Sequence, residues 1–263
     1  MVAEHGAGSG RQQASGVDPA PRRRVRRLMV EGKIVVITGA GSGVGRGLAA
    51  GFCREGARVV GLGRTEADLA ETADRFGEGR MRVVVGDVSQ PEDVERLFAD
   101  AESAHGRVDV LVNNAALYPK ERFVEHDMER FAQALQVNVL GVGLTCRRAL
   151  PGMLERGHGR IVNVGSYAFK DPIPTAASYS ATKGAVDVLT KALAVEVTHP
   201  DVRINQWMPG VFRTRMTPDH GDDPMTAYAG GRGVATLPAG GPHGRTFLGT
   251  ELIEEGGGDG VRG

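Results

Sequence analysis

A hydrophobic run followed by a glycine cluster places the strongest constraint on this fold. Residues 34–37 (IVVI) are all apolar and β-branched, as expected of a strand buried on both faces. Residues 38–46 (TGAGSGVGR) follow, and a helical pattern then continues through Leu48, Phe52 and Cys53. A strand, a glycine-rich turn and a helix direct backbone N–H groups and a helix N-terminus toward a phosphate. This segment therefore predicts a phosphate-binding turn within an α/β domain.

The glycine spacing is G-x-x-x-G-x-G on Gly39, Gly43 and Gly45. It differs from the G-x-G-x-x-G of the commonest dinucleotide-binding fold. Glycine adopts positive φ and lets the backbone approach a pyrophosphate closely. The strand before the cluster and the helix after it favour the nucleotide-binding interpretation.

Alternating strands and helices continue to the end of the chain. Further strands are predicted at residues 58–63, 81–85, 108–112, 160–164, 202–207 and 245–248. Helices are predicted at 91–105, about 128–150, around 179–193 with an end before Pro200 and, weakly, 225–237. This order predicts a Rossmann-like, doubly wound parallel sheet of about seven strands in a three-layer α/β/α sandwich. Ligands should bind at the carboxyl ends of the strands.

The second predicted strand ends in Gly63-Arg64. At this position a carboxylate would hold the ribose 2′-hydroxyl of NAD, whereas an arginine accommodates the 2′-phosphate of NADP. Arg64 thus favours NADP(H), with NAD(H) as the second choice. The alternative is an arginine that only meets solvent.

Tyr179 and Lys183 are four residues apart and lie on one face of a predicted helix. A free tyrosine has a pKa of about 10, and a cation nearby favours the phenolate. The pair can therefore give and take a proton at an alcohol/carbonyl couple. Because Tyr-x-x-x-Lys also recurs by chance, an ordinary exposed pair is the alternative.

Together these motifs resemble the short-chain dehydrogenase/reductase family, in its single-domain, carbonyl-reductase-like branch. The resemblance covers roughly residues 30–255. It rests on a set of motifs in the family's order: Thr38-Gly39-x-x-x-Gly43-x-Gly45, Asp87, Asn113-Asn114-Ala115, Asn138, Ser166, Tyr179-x-x-x-Lys183 and Pro209-Gly210-x-x-x-Thr214.

The resemblance implies a catalytic tetrad of Asn138, Ser166, Tyr179 and Lys183. Tyr179 would exchange the proton with the substrate oxygen, and Ser166 would hydrogen-bond that oxygen. Lys183 would lower the tyrosine pKa and bind the nicotinamide ribose, and Asn138 would hold a water linking Lys183 to solvent. The function implied is hydride transfer between NADP(H) and a carbonyl or secondary alcohol.

The resemblance also implies the cofactor contacts. The glycine turn would hold the pyrophosphate, Asp87 the adenine and Asn113 the floor of the cleft, while residues 209–214 would cover the nicotinamide. The full set of expected contacts is Gly39, Ser42, Gly43, Val44, Gly45, Arg64, Asp87, Val88, Asn113, Ala115, Tyr179, Lys183, Pro209, Gly210, Phe212 and Thr214. No metal is expected.

Three segments should line the substrate pocket: residues 116–122, 167–175 and 211–223. They carry several apolar or aromatic side chains, which favour an apolar or aromatic ketone: Tyr118, Tyr167, Phe169, Ile173 and Phe212. Ala116 and Gly165 depart from the family's usual glycine and serine, and the stretch at 218–224 predicts a small lid. These departures leave the four catalytic residues unchanged, and they bear only on which substrate is bound.

Two alternatives to a carbonyl reductase remain at this stage. A 3-oxoacyl-thioester reductase would need a basic patch for an acyl carrier protein, for which Lys120, Arg147 and Arg148 are candidates. A non-catalytic NADP-sensing protein on the same fold would be favoured by loss of the tyrosine or the lysine, and both are present.

The amino-acid composition bears on the expected binding partners and on the expected cellular compartment. The 32 Lys and Arg residues equal the 32 Asp and Glu residues, so no nucleic-acid partner is indicated. No apolar run is long enough for a membrane helix. Cys53 and Cys146 lack a disulfide spacing, which favours reduced thiols and a cytoplasmic location.

The ends of the chain differ in composition from the rest. Residues 1–28 combine small and polar residues with an arginine cluster at 22–27, and predict a disordered basic tail. Residues 29–255 would form one catalytic domain, and 256–263 a flexible C-terminal tail. By family analogy the protein should be a homotetramer or homodimer.

Overall fold

The computed structural model describes residues 30–253. Both predicted tails, 1–28 and 256–263, lie outside these described residues. The sheet has eight strands: β1 (Ile34–Thr38), β2 (Arg58–Gly63), β3 (Met81–Val85), β4 (Val110–Asn113), β5 (Gly159–Val164), β6 (Val202–Met208), β7 (Thr246–Leu248) and β8 (Glu251–Leu252).

Seven α-helices alternate with these strands in the described part of the chain. They are α1 (Gly43–Arg54), α2 (Glu66–Phe76), α3 (Pro91–His105), α4 (Met128–Leu135), α5 (Gly141–Glu155), α6 (Ala177–Glu196) and α7 (Tyr228–Ala235). Three short 3₁₀ turns occur at Phe123–Glu125, Tyr167–Phe169 and Pro224–Ala227, and a π-helical turn at Gln136–Leu140.

The strand order is β3-β2-β1-β4-β5-β6-β7-β8. All neighbours pair in parallel except β7 and β8, which are antiparallel. The order reverses between β1 and β4, and in such sheets the crevice at this point is where ligands bind. The doubly wound parallel sheet predicted from the sequence is confirmed.

Two hydrophobic clusters lie on opposite faces of the sheet. One face packs side chains of α1, α2 and α7, represented by Leu48, Leu69 and Val234, around the fully buried Trp207. The other packs α3, α5 and α6, represented by Leu97, Met153 and Val186. These are the two cores of a three-layer sandwich, as expected from strands such as β1, whose five residues are all buried.

Several predicted boundaries were wrong. The eighth strand adds to the approximately seven predicted, because the chain turns back after Leu248 at Gly249, whose φ is +58°. Strand β4 begins at Val110 and not at residue 108. The weak helix at 225–237 divides into a 3₁₀ turn and the shorter α7.

The long helix predicted at 128–150 is interrupted by the π turn and then runs on to Glu155, with Pro151 inside it. The π turn surrounds Asn138, a residue that forms regular helix poorly. Single π turns within helices often occur at functional sites.

Close packing of α1 generates a stability prediction. A Cβ atom at Gly47 would overlap the backbone carbonyl of Pro224, whereas one at Gly233 on α7 would meet no atom within 4 Å. Gly47→Ala should lower the free energy of unfolding by about 1–3 kcal/mol through overpacking. The control Gly233→Ala should leave it unchanged or raise it by up to about 1 kcal/mol. Urea unfolding of both variants measures this, and equal effects would contradict it.

Candidate active site

The cleft begins where β1 and β4 end side by side. The Thr38 hydroxyl oxygen accepts hydrogen bonds from the backbone N–H groups of Asn114 and Ala115, both at 3.0 Å. The Asn114 side-chain amide donates to the carbonyls of Thr38 (3.0 Å) and Gly39 (3.1 Å). These bonds fix the start of the glycine turn to the end of the neighbouring strand. No separate role for Asn114 was predicted from the sequence.

The glycine turn has the backbone that its sequence predicts. Gly39 and Gly43 have φ of +68° and +52°, and a Cβ at Gly45 would overlap the Gly39 carbonyl. Ser42 is the N-cap of α1, and its side chain makes no capping hydrogen bond. The first N–H groups of a helix have no partner within the helix. A phosphate above this turn could therefore accept from them, so the turn fits the pyrophosphate of a dinucleotide.

Arg46 supports the turn from behind. Its guanidinium donates to the Gly41 carbonyl (2.7 Å from Nη2), to Glu71 (2.8 Å) and to the Thr72 hydroxyl (3.0 Å). It thereby joins the glycine turn to α2 and is not directed at the cleft. Nothing in the sequence pattern distinguishes this arginine from a cofactor contact.

The cleft widens from the glycine turn toward the ends of β2, β3 and β4. Its empty volume is about 690 Å³, counted with its open mouth. Six of the predicted cofactor residues line it: Gly39, Ser42, Arg64, Asp87, Val88 and Ala115. Thr65, Asp68 and Val137, for which no role was predicted at the cleft, line it as well, as do Leu117 and Arg215 from two segments predicted for the substrate pocket.

Arg64 and Asp87 lie near each other at one end of this cleft. The Arg64 Nη1 is 4.0 Å from the Asp87 Oδ2, and the arginine side chain is 62% exposed. The Asp87 Oδ1 accepts from the backbone N–H and the hydroxyl of Ser89, at 2.9 and 2.8 Å. Arg64 is therefore only loosely held and can turn toward a ligand.

Tyr179 and Lys183 lie on α6 beside the end of β5. The Lys183 Nζ donates to the Val164 carbonyl at 2.6 Å and lies 5.6 Å from the centre of the Tyr179 ring. Ser166 lies two residues after the end of β5, and its side chain is near enough to Tyr179 to influence the pKa of the tyrosine. The structure thus brings Ser166, Tyr179 and Lys183 together, although they come from two different elements.

The electrostatics of the pair correct one expectation. Burial raises the pKa of Tyr179 above its usual range; the Ser166 side chain opposes this rise, and the nearby Tyr118 adds to it. Burial also lowers the pKa of Lys183 to about 8. The net shift of the Tyr179 pKa is therefore upward, and not downward as expected from the neighbouring Lys183. The physical reason is that the ammonium group is directed at the Val164 carbonyl, and burial disfavours both charged forms.

Asn138 connects the cleft to the tyrosine helix. Its side chain pairs with the backbone of Leu117, accepting from the N–H at 2.7 Å and donating to the carbonyl at 2.9 Å. The same amide donates to the Thr182 hydroxyl at 2.9 Å, next to Lys183. These bonds position the loop after β4 against α6. The π turn places a buried amide at this point.

Asn113 does not form the floor of the cleft with its side chain, contrary to our expectation. The side chain is buried and donates to Asn163 at 2.9 Å, while its oxygen accepts from Thr145 at 2.7 Å. Side chains alternate between the two faces of a strand, and Asn113 is directed at α5. Asn114, the next residue, supports the glycine turn instead.

The covering segment after β6 only partly matches its prediction. Phe212 is 9% exposed and packs in the core, so its side chain does not line the substrate pocket. Thr214 lies against the glycine turn, because a Cβ at Gly43 would be 3.1 Å from its methyl group. Pro209 and Gly210 follow β6, where Gly210 has a φ of +96°. Val44 packs against the core and does not line the cleft.

Two loops meet above Tyr179. The Tyr118 ring contacts the Tyr179 ring edge-on, with centroids 4.7 Å apart. The Glu121 N–H donates to the Thr175 carbonyl at 2.7 Å, which joins the loop after β4 to the loop after β5. Exposed apolar side chains occur in the three loops that follow β4, β5 and β6: Phe123, Val124, Tyr167, Ile173, Val211 and Met216.

Neither a membrane helix nor a metal cluster is found among residues 30–253. No helix there is long and apolar enough to cross a bilayer. No group of three or more His, Cys, Asp or Glu side chains gathers there in a way that could hold a metal ion.

Comparison with known proteins gives a consistent result. The family model described as short chain dehydrogenase matches residues 33–224. An uncharacterized oxidoreductase of Staphylococcus aureus (strain MRSA252) is 32% identical over 185 residues, which cover 70% of this chain and 80% of that protein. One from Staphylococcus saprophyticus is 33% identical over 193 residues, covering 72% and 82%.

A solved structure is similar over most of its length. The crystal structure of a 3-ketoacyl-(acyl-carrier-protein) reductase from Brucella melitensis, complexed with NADH, superposes with a TM-score of 0.79. The sequences are 32% identical, and the match covers 83% of this chain and 97% of the other. This fold extends beyond the part matched by the family model.

The buried ammonium of Lys183 generates a prediction about pH. Between about pH 8 and the ordinary lysine value of 10.5, the folded protein has lost this proton while the unfolded chain keeps it. Because the unfolded state then binds more protons, Lys183 makes the protein more stable as the pH rises through this window. Relative to Lys183→Met, the wild type should gain about 1.4 kcal/mol per pH unit there.

Urea unfolding of both proteins at pH 7.0 and 9.5 measures this gain. The lost hydrogen bond to Val164 adds an offset, so only the change with pH is diagnostic. If the difference in free energy of unfolding between the two proteins is the same at both pH values, the prediction is wrong.

Proposed function

This chain belongs to the short-chain dehydrogenase family, and from that premise we propose that it is an NADP(H)-dependent carbonyl reductase or alcohol dehydrogenase. It is an oxidoreductase of that family. What we propose beyond this is the choice of cofactor, the catalytic tetrad and the substrate class.

One observation carries the proposal. A tyrosine beside a serine hydroxyl, with a buried lysine one turn further along the same helix, lies next to a cleft that starts at a phosphate-binding turn. An alcohol/carbonyl couple needs a proton donor and acceptor at the oxygen atom and a hydrogen-bond donor that stabilises developing negative charge. Tyr179 and Ser166 supply these two groups.

The residues fit a dinucleotide cofactor. The glycine turn and the N-terminus of α1 would hold its pyrophosphate, Asp87 its adenine and Arg64 its 2′-phosphate. Lys183 would bind the ribose of the nicotinamide half. When bound, a nicotinamide supplies or accepts the hydride. The solved neighbour has NADH bound, so it does not itself support a preference for NADP(H). The proposed preference for NADP(H) over NAD(H) rests on Arg64.

The protein's own groups handle the proton. Tyr179 would donate its proton to the substrate oxygen in reduction and take it back in oxidation. Because the pKa of Lys183 is about 8, its positive charge is largely present at neutral pH and would stabilise the phenolate. Asn138 would hold a water that relays the proton between Lys183 and solvent, next to the Leu117 carbonyl that it orients.

The surroundings of Tyr179 favour an apolar or aromatic ketone as substrate. Tyr118 packs against the catalytic ring, and exposed Tyr167 and Ile173 lie in the loop after β5. These side chains offer apolar contact area, which would favour binding of a carbonyl compound with a hydrophobic substituent. A panel of aromatic and aliphatic ketones assayed with NADPH and with NADH tests this assignment.

A 3-oxoacyl-thioester reductase is the second candidate, because the solved neighbour is a 3-ketoacyl-(acyl-carrier-protein) reductase. One of the three candidates for the expected basic patch, Arg148, is already engaged within the protein. Arg148 is bound to Glu95 and Glu102 and stacks over Phe98, so it holds α5 to α3. Adding 3-oxoacyl thioesters of a small carrier analogue to the ketone panel separates the two candidates.

We also propose a homo-oligomer. Val137, Val142 and Val186, on the π turn, α5 and α6, are buried within the subunit. In contrast, Leu140 is 50% exposed and Val188 65%. Leu135 and Val195 are exposed as well, so apolar faces remain uncovered on the π turn, α4 and α6.

Light scattering at micromolar concentration should therefore give a mass near twice or four times the 27.8 kDa of one chain. Replacing Val188 and Val195 together by aspartate should shift the mass toward 27.8 kDa, because charge would then face charge across the contact. A wild-type mass of one chain would refute the proposal.

Tyr179→Phe tests the chemistry. The variant lacks the proton donor, so kcat should fall by at least about 10²–10⁴-fold, while the Kd for NADPH should change little. Ser166→Ala should reduce kcat by about 10²–10³-fold, the range for one lost donor to a developing oxyanion. Tyr167→Phe is the matched control: it removes an exposed phenol in the neighbouring loop and should retain activity. Full turnover by Tyr179→Phe would exclude the mechanism.

Arg64→Asp tests the cofactor preference. The wild type should prefer NADPH, and the variant should lose or reverse this preference by roughly 10- to 100-fold in kcat/KM. The reason is that a charge-assisted contact to the 2′-phosphate is lost and a repelling carboxylate is gained. Arg54→Asp, with the same charge change at the far end of α1, should keep the preference. Equal efficiency of the wild type with both cofactors would contradict the Arg64 assignment.

A further inference from the structure

A second arginine, Arg215, also lines the cleft, although it comes from a different element than Arg64. Arg215 follows β6 in the covering segment, yet its guanidinium forms two hydrogen bonds to the Asp68 carboxylate, at 2.7 and 2.8 Å. Asp68 lies in the first turn of α2, directly after Arg64 and Thr65 at the end of β2. Asp68, Arg215 and Arg64 all line the same cleft.

The charge of Asp68 poses a problem for a phosphate ligand. Hydrogen bonding by Arg215 lowers the pKa of Asp68, and the charges of Arg215 and Arg46 act in the same direction. The carboxylate is therefore ionised at neutral pH. An ionised carboxylate on the wall of a cleft repels a phosphate dianion unless a cation neutralises it.

Arg215 can neutralise Asp68 and still bind a ligand. A guanidinium has five N–H donors in a planar fork, and the two bonds to Asp68 occupy only two of them. The arginine side chain is 73% exposed, whereas that of Asp68 is 17% exposed. The remaining donors are accessible from the cleft, and the pair with Asp68 restricts the position of the otherwise exposed side chain.

We propose that Arg215 is a second phosphate-binding arginine, which contacts the 2′-phosphate of NADP(H) together with Arg64, and that Asp68 is its positioning residue. The inference rests on the proposed NADP(H) function. It makes cofactor choice depend on two elements, the end of β2 and the segment after β6. Thr214, the residue before Arg215, lies against Gly43 in the glycine turn, so binding at Arg215 would also hold the covering segment over the cleft.

Binding measurements, without turnover, test the role of Arg215. The Kd values of NADPH and NADH are measured by fluorescence, and those of adenosine 2′,5′-bisphosphate and adenosine 5′-monophosphate by calorimetry. Arg215→Gln should weaken binding of the two 2′-phosphorylated ligands by about tenfold, and binding of the other two by less than twofold. Arg54→Gln, which removes an exposed arginine at the far end of α1, is the control and should leave the binding of all four ligands unchanged.

A double variant tests the role of Asp68. In Arg215→Gln the carboxylate is left without this arginine and faces the phosphate. Adding Asp68→Asn should therefore recover about threefold of the lost NADPH affinity, with no recovery for NADH. An arginine that merely holds the segment in place would not produce this difference between the ligands.

The outcomes separate the inference from the function on which it rests. If the wild type binds NADPH more tightly than NADH and Arg215→Gln keeps the ratio, or weakens both equally, the inference is overturned and the proposed function stands. If the wild type has no preference, the NADP(H) assignment is wrong and the inference fails with it. A selective loss in Arg215→Gln that Asp68→Asn partly reverses supports it.

Discussion

The hydrogen bonds of Thr38 and Asn114 are the interaction on which the site depends. Parallel strands need no direct tie at their carboxyl ends, and at the switch point the loops after β1 and β4 leave in opposite directions. Here one hydroxyl oxygen accepts from two backbone N–H groups, and one amide donates to two carbonyls across the same gap. The position of the glycine turn relative to the loop that carries Leu117 and Tyr118 follows from these four bonds.

From that junction, a chain of polar contacts leads to the reacting groups. Leu117 is paired with Asn138, Asn138 with Thr182, and Thr182 with the carbonyl of Tyr179 at 2.7 Å. A parallel set below the strand ends joins Asn113, Asn163 and Thr190. Buried polar groups that are all hydrogen-bonded fix a single arrangement, because any other would leave some of them unpaired. The tyrosine helix is thus held in register with the cleft by side chains, and not by packing alone.

Much of this could be predicted from the sequence because periodicity and glycine placement are local signals. The apolar runs located β1, β2 and β3, and the glycine spacing located the turn and its positive φ angles. Which of two adjacent asparagines supports the turn was not predictable, since that depends on the face to which each side chain points. The partner of Arg215 lies 147 positions away in the chain, and no local pattern reports such a contact. The raised pKa of Tyr179 likewise follows from burial, which a motif does not express.

The two edges of the described sheet differ in the length and direction of their outer strands. At one edge β3 has five residues, with Val83 and Val85 exposed, and an ion pair between Arg82 and Asp100 beside them. At the other, β8 is only two residues long and runs against the direction of the rest. A two-residue antiparallel strand offers too few N–H and C=O groups to template a further strand, and charges on the longer edge make a flat partner unfavourable. The short hairpin after Gly249 therefore acts as a stop, which keeps a mainly parallel sheet from growing sideways into a neighbouring molecule.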